Sequence, residues 1–382
     1  MMRHILVKPV GAFCNLRCEY CFYLEKTLLY GESPESLRMS DAILHKMIGD
    51  MFALSDQPVF TWHGGEPALM GLDFFEKAVR LQHRLCKGKT FLNAFQTNGV
   101  LLDERWAEFF LRENFLVGVS LDGPPHVHDH YRKDIHGRGT FEKVYKNALM
   151  LHKKGVQVNI LATISDYSVK YGEESYRFFK ESGFSFIQFM PVLESDREKV
   201  DRLASYSVDK KAYGRFLTGL FDAWIKDFDF KNLRQKTSIR FFDALIQTLA
   251  GGVPDHCLFQ EKCGTYLVCE HNGDLFPCDY LVSSGTRIGN LTQMSLGEAF
   301  ASEARVAFSA RKAFLDHECE MCQWLIICRG GCIKDRLADP KDEGRNHFCT
   351  SNKYFFKRAE KTLLKLAALY REQQSMIERR VS

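Results

Sequence analysis

The sequence predicts an α/β chain in three parts: a partial (βα)6 barrel, a small cysteine-rich domain and a closing C-terminal helix. Three observations carry that expectation. Residues 1–190 alternate short β-rich runs with longer helical patterns, the rhythm of parallel strands joined by right-handed crossovers. Nine of the thirteen cysteines fall between residues 257 and 349, where helical periodicity fades. Residues 352–380 return to an amphipathic helical pattern. The boundaries read from these changes are 1–235 for the barrel, 236–351 for the cysteine-rich domain and 352–382 for the last helix. A doubly wound sheet is the alternative arrangement of the same strand–helix units.

The strand runs are 4–9, 58–63, 91–97, 115–121, 156–164 and 184–190. They are rich in β-branched and aromatic residues, and several are almost continuously apolar, as strands buried on both faces are. Helices are expected near 40–53, 72–87, 103–113, 140–154, 168–182 and 209–229. Ser40 and Asp103 read as N-caps, and Gly88, Gly155 and Gly183 as helix stops. In the cysteine-rich part, LVCEHNGDLFPCDYLV reads as a hairpin turning at Asn272-Gly273. So little helical core there implies that bound metal supplies part of the stability.

The 382 residues are 45% hydrophobic and 26% charged, enough for one large or two medium domains with cores. No apolar run approaches the roughly 18 residues of a membrane span. The start, MMRHILVKPV, has no small-residue cleavage site. The expectation is a cytoplasmic protein with no membrane partner. In that compartment thirteen cysteines point to metal or cluster ligation rather than disulfides. The net charge of +4 is no nucleic-acid footprint, and no nucleic-acid partner is expected. Basic residues do gather late in the chain (Lys353, Lys357, Arg358, Lys361, Lys365, Arg371, Arg379, Arg380). They read as the solvated face of a helix, with docking of an acidic electron donor as the other reading.

The chemistry lies in the spacings. Cys14-x3-Cys18-x2-Cys21 offers three thiolates, which leave one iron of a [4Fe–4S] cluster open to a small molecule. After the second strand comes His63-Gly64-Gly65-Glu66-Pro67, where paired glycines permit close backbone approach and a carboxylate can meet an ammonium group. Polar groups close the later strands: Gln96-Thr97-Asn98-Gly99, Ser120-Leu121-Asp122-Gly123 and Gln188. Barrel folds bind ligands at these strand ends. Further on, the cysteines run Cys263-x9-Gly273-x4-Cys278, then Cys319-x2-Cys322-x5-Cys328-x3-Cys332, then Cys349, with Cys257 upstream. Cys-x2-Cys pairs serve zinc as well as iron. Cys86 and Cys269 read as packing residues. Asp279 follows Cys278 directly, either as a turn carboxylate or as a proton acceptor beside a cluster.

The triplet, with Tyr20 before its last cysteine, resembles the signature of radical S-adenosylmethionine (SAM) enzymes. HGGEP resembles that family's GGEP motif, and the later cysteines match the spacing of SPASM auxiliary-cluster domains. The resemblance implies SAM and three [4Fe–4S] clusters: one on Cys14, Cys18 and Cys21, one on Cys257, Cys263, Cys278 and Cys332, and one on Cys319, Cys322, Cys328 and Cys349. Loading them would take the net charge to roughly −1. By the same resemblance Tyr20, Gly65, Ser120, Arg132 and Leu193 match SAM-contacting positions.

The whole chain resembles anaerobic sulfatase-maturating enzymes, most closely in CNLRCEYCFYLEK (14–26), FTWHGGEP (60–67), QTNGVLLDERW (96–106), FLVGVSLDGP (115–124), NGDLFPCD (272–279) and RIGNL (287–291). That resemblance implies oxidation of a Cys or Ser side chain in an unfolded sulfatase polypeptide to Cα-formylglycine without oxygen. It implies a ferredoxin or flavodoxin-type electron donor, Asp279 as the base, and Tyr23 and Gln188 as substrate-side contacts. His63 stands where Gln is expected, and the segment from Leu193 to about Tyr206 is short and charged. Another SPASM-type enzyme that crosslinks a precursor peptide is the rival; many carry an extra N-terminal domain, for which a first strand near residue 4 leaves no room. A non-catalytic Fe–S carrier would need neither the open-iron triplet nor the GGEP turn.

Overall fold

The structure is a computed structural model that describes residues 2–381 except 24–25, 31–36, 197–198, 200, 231–234 and 255, with side chains to residue 376. Parts of two sequence features, the segment after Leu193 and the end of CNLRCEYCFYLEK, lie outside the described residues. The chain divides into two compact units. The first is Met1–Leu121, His128–Ile160 and Cys263–Arg311; the second is Asp122–Val127, Leu161–Lys262 and Lys312–Ser382.

In chain order the described strands are β1 (Arg3–Lys8), β2 (Pro58–Trp62), β3 (Leu92–Thr97), β4 (Leu116–Ser120), β5 (Gln157–Ile164), β6 (Phe186–Pro191), β7 (Ser238–Ile239), β8 (Tyr266–Glu270), β9 (Asp274–Phe276) and β10 (Gly289–Asn290). In the first unit β1, β2, β3 and β4 pair in parallel as successive neighbours. The helices Asp41–Leu54, Leu72–Leu85 and Glu104–Arg112 supply the crossovers. Strands that follow one another without reversal belong to a barrel-like winding; a doubly wound sheet reverses at a switch point. Ser40 and Asp103 cap their helices as expected, accepting from Ile43 N and Trp106 N. Gly88, Gly155 and Gly183 take the positive φ that ends a helix.

The hairpin expected around Asn272-Gly273 is present. β8 and β9 run antiparallel with Val268 opposite Phe276, and Gly273 takes φ +85° in the turn. Its setting differs from expectation. β8 lies parallel against the free side of β1, from His4 opposite Tyr266 to Lys8 opposite Glu270. The run YLVCE is apolar enough to be buried on both faces, so it joins the sheet of the first unit rather than forming a separate one.

Aromatic side chains fill the core of this unit, with Trp62, Phe60, Phe75 and Phe95 fully buried. Within it lies one polar knot. Asn93 Oδ1 accepts from Trp62 Nε1 and Gln82 Nε2, each at 3.0 Å, and Asn93 Nδ2 donates to Gln82 Oε1 at 2.9 Å. The knot fastens the helix Leu72–Leu85 to β2 and β3 immediately before His63.

The second unit holds the parallel pair β6–β7 and the helices Gly172–Glu181, Lys210–Lys226, Arg240–Leu249 and Cys349–Val381. The helix Arg240–Leu249 is the longest described helix that sequence periodicity passed over. It buries Phe241, Phe242, Leu245 and Ile246, and Phe242 stacks on Phe355 of the last helix at 5.6 Å. Lys353, Lys357, Arg358, Lys361, Lys365 and Arg371 lie on the exposed side of that helix, as a solvated face should. The side chains of Arg379 and Arg380 lie outside the described residues.

Asn93→Leu should leave the Trp62 indole N–H and the Gln82 amide buried without partners. We expect a loss of about 2–4 kcal/mol, measured as a lower denaturation midpoint under anaerobic conditions.

Candidate active site and cluster ligands

The loop that leaves β1 carries the first three cysteines, and it is held from both sides. Gly65 N donates to Gly11 O at 2.8 Å, and Glu66 N donates to Phe13 O at 2.9 Å. Opposite, Arg17 N donates to Lys133 O at 2.9 Å, and Leu16 bridges to Asp134. Asn98 Nδ2, at the end of β3, donates to Asn15 Oδ1 at 2.8 Å and points at Cys14 Sγ at 3.6 Å. A Cβ on Gly65 would collide with the Phe13 carbonyl. The glycine is therefore required by the protein's own cysteine loop, a nearer cause than the approach of a ligand backbone.

Burial, then the charge of Glu66, pushes the Cys14 thiol up, and the thiolates of Cys21 and Cys18 add to the push. Three thiols close enough to oppose one another's ionisation are a donor set suited to iron, whose positive charge reverses that opposition.

Glu66 is fully buried. It accepts from Ala68 N at 3.0 Å, Thr97 Oγ1 at 2.8 Å and Asn98 N at 2.7 Å, which ties the end of β2 to the end of β3. Burial raises its pKa to about 7 against the pull of those hydrogen bonds. The Arg132 guanidinium lies 5.4 Å from the centroid of the Tyr20 ring, and Ser120 Oγ accepts from Gln96 Nε2 at 3.1 Å. Tyr20, Gly65, Ser120 and Arg132 thus belong to the first unit, at strand ends or around the cysteine loop; Leu193, fully buried, belongs to the second.

The densest electrostatics surround Lys8, the last residue of β1, which has no exposure to solvent. Its ammonium forms an ion pair with Asp279. It also lies 3.4 Å from His63 Nδ1 and 3.8 Å above the ring of Tyr23. Burial acts to raise the Asp279 pKa, but Lys8 and then His63 outweigh it and hold the carboxyl below its usual range. His63 Nδ1 accepts from Gly64 N at 2.7 Å, so the neutral ring carries its proton on Nε2. Burial, then the Lys8 charge, lowers the His63 pKa to about 4. Beside this group the Tyr23 hydroxyl donates to Glu270, another fully buried charge.

Sequence reasoning found Asp279, Tyr23 and His63 but missed Lys8 and Glu270. The sequence shows only the strand-end charges, and the register brings them together. Two apolar strand runs, ILVK and YLVCE, each end on a charge, and Lys8 and Glu270 are opposite one another in the ladder. Gln188 lies in the second unit, where its Oε1 accepts from Arg240 Nη1 at 3.1 Å.

Among the later cysteines, Cys263 and Cys278 belong to the first unit, and Cys257 and Cys332 to the second. Cys319, Cys322, Cys328 and Cys349 all belong to the second and line one cavity with Trp324 and Phe356. Burial, then Asp316, pushes the Cys319 thiol up to about 12, with Cys349 and Cys328 contributing. Four thiols around one cavity fit a closed cluster. Cys269 is fully buried in β8, and Cys86 Sγ donates to His83 O at 3.2 Å, so both pack as expected.

Residues 9–179 match the radical SAM superfamily, and residues 257–323 match SPASM, an iron–sulfur cluster-binding domain. The serine-type anaerobic sulfatase-maturating enzyme of Bacteroides thetaiotaomicron is 38% identical over 371 residues, covering 92% of this chain and 88% of that one. The cysteine-type enzyme of Clostridium perfringens is 36% identical over 367 residues, covering 95% and 98%. A solved structure of native anSMEcpe with bound AdoMet and Cp18Cys peptide aligns with a TM-score of 0.87 and 35% identity, over 97% of this chain and 100% of that one.

Two outcomes are expected from this geometry. Gly65→Ala should displace the loop of Cys14, Cys18 and Cys21, and iron analysis after anaerobic reconstitution should find about four irons fewer than in the parent protein. The second concerns pH. The His63 ring titrates at 6.5 when unperturbed and at about 4 when folded. Its contribution to stability is therefore present above pH 6.5 and lost as pH falls toward 4. In His63→Asn the decline of thermal midpoint across that interval should be shallower.

Proposed function

The chain belongs to the anaerobic sulfatase-maturating enzymes, radical SAM proteins with a SPASM domain, and from that premise we propose that it oxidises one Cys or Ser side chain of an unfolded sulfatase polypeptide to Cα-formylglycine without oxygen. The observation that carries this reading is Asp279. It is a buried carboxylate next in sequence to Cys278, ion-paired with Lys8 in the group that His63 and Tyr23 complete.

When bound, the clusters and SAM supply a 5′-deoxyadenosyl radical that takes a Cβ hydrogen and an acceptor for the surplus electron. The protein's part begins with Asp279, which receives the thiol or hydroxyl proton of the target residue. Loss of a hydrogen atom, a proton and an electron is a two-electron oxidation. A Cys target then yields a thioaldehyde, which water hydrolyses to the aldehyde with release of hydrogen sulfide; a Ser target yields the aldehyde directly. Tyr23 and Gln188 are assigned to the substrate side. Tyr20, Gly65, Ser120, Arg132 and Leu193 are assigned to SAM.

The cysteine sets are assigned to three [4Fe–4S] clusters: Cys14, Cys18 and Cys21; Cys257, Cys263, Cys278 and Cys332; and Cys319, Cys322, Cys328 and Cys349. The corresponding division is 1–235 for the SAM barrel, 236–351 for the auxiliary-cluster domain and 352–382 for the closing helix. A ferredoxin or flavodoxin is the electron donor in this reading. The cytoplasm is its compartment, supported by thirteen free cysteines. No helix among the described residues is long and apolar enough to cross a membrane.

After anaerobic reconstitution the protein should hold about twelve irons, as three four-iron clusters require. Given reductant, SAM and sulfatase-derived Cys and Ser peptides, it should form the aldehyde, detected by mass spectrometry. SAM cleavage with neither peptide altered, or with a crosslinked product, sinks the maturase reading. Asp279→Asn should slow aldehyde formation by about 100-fold or more with iron content unchanged.

A further inference from the structure

We infer that Lys8 is the positioning residue for the Asp279 base, holding that carboxylate against the wall formed by Tyr23 and His63. The inference rests on the reading that Asp279 accepts the substrate proton, and it adds a residue that no sequence motif marks.

Lys8 and Asp279 are anchored unequally. Lys8 closes β1, which is laddered on both sides: Val7 is opposite Trp62 of β2, and Lys8 is opposite Glu270 of β8. Its ammonium is therefore delivered from rigid backbone. Asp279 stands beyond the end of β9, where its backbone N–H reaches the Tyr266 hydroxyl at 3.4 Å, and its carboxylate is gripped by Lys8. A functional group on a turn is placed by the rigid element that holds it.

The environment of Lys8 is built around this one charge. A fully buried ammonium is costly unless partnered. Here its surroundings are the Asp279 carboxylate, the face of Tyr23 at 3.8 Å and the His63 lone pair at 3.4 Å. These groups come from three separate parts of the chain: the loop after Cys21, the end of β2 and the turn after β9. Each of them turns an acceptor or a ring face toward the same nitrogen. Without Lys8 the carboxylate loses its ion-pair partner and the anchor that fixes its direction, so it swings out of line with its target. An apolar side chain of similar length would fill the space and leave that defect.

Four reconstituted holoenzymes decide the matter: the parent, Lys8→Met, Asp279→Asn and the double variant, each checked for iron content. Lys8→Met should lower kcat for aldehyde formation by about 100-fold while changing the peptide KM by less than about threefold. Lys8→Arg should restore a tenth or more of the parent rate. Because Lys8 acts through Asp279, the double variant should be no slower than Asp279→Asn alone. Its thermal midpoint should also exceed that of either single variant, since each single strands one buried charge and the double strands none.

A parent-like rate in Lys8→Met overturns the inference, as do losses that multiply in the double variant. A parent-like rate in Asp279→Asn overturns the base reading beneath it, which separates the two failures. If Lys8→Met cannot hold its iron, Lys8→Arg against Lys8→Gln decides by the same measurements, with equal rates in the two overturning the inference.

Discussion

The parallel ladder between β1 and β8 is the constraint from which the site of the first unit follows. It aligns two apolar strands that each end on a charge, Lys8 opposite Glu270, with neither exposed to water. Buried charges need partners, and each finds one in a different loop: Lys8 takes Asp279 and Glu270 takes the hydroxyl of Tyr23. Tyr23 lies two residues after Cys21, and Asp279 immediately after Cys278. Satisfying one pair of strand-end charges thereby fixes the neighbours of two cysteine groups that are far apart in sequence.

Low polarity does the rest. In such surroundings a charge is felt strongly, and each titratable group settles in the form its neighbours impose. Lys8 holds the Asp279 carboxyl below its usual range against burial, whereas burial first and then Lys8 keep the His63 ring neutral. Glu66 is pushed by burial to about 7 and held by three donors from its own chain. The cysteines are raised by burial and by one another. Each of these is a demand for positive charge, which bound iron or an ammonium group supplies.

The parts of the fold legible in the sequence were those written in local pattern. Strands β1 to β6 and their helices declared themselves by periodicity, by the caps Ser40 and Asp103 and by glycine stops. The hairpin declared itself by Asn272-Gly273. The cysteine spacings carried the family signal, since residues 9–179 match the radical SAM superfamily and residues 257–323 match SPASM. Other features depend on register and tertiary company. That β8 belongs against β1 cannot be read from YLVCE, which would be as apolar in a separate sheet. Lys8 looked like an ordinary charge at the end of a strand, since its burial depends on a residue far along the chain. The helix Arg240–Leu249 was missed because FFDALIQTL is short and follows a stretch without caps, so its periodicity had little length in which to show. At Gly65 the structure adds a neighbour that the motif does not reveal: the glycine makes way for the backbone at Phe13.

The β1–β8 ladder also sets an order of events during synthesis. β1 is made before every other described strand, and β2 gives it one partner early. Its other edge stays open until β8 emerges, with most of the chain in between. Contacts of such long sequence separation form late and leave edges exposed meanwhile. Until then the Lys8 ammonium remains in water, and its eventual counter-ion has not yet been made. A nascent chain can thus lay down the loop of Cys14, Cys18 and Cys21 against β2 and β3 well before the hairpin brings Asp279 to its place. The cysteine loop and the carboxylate of Asp279 reach their places at different times, and the β1–β8 ladder joins them.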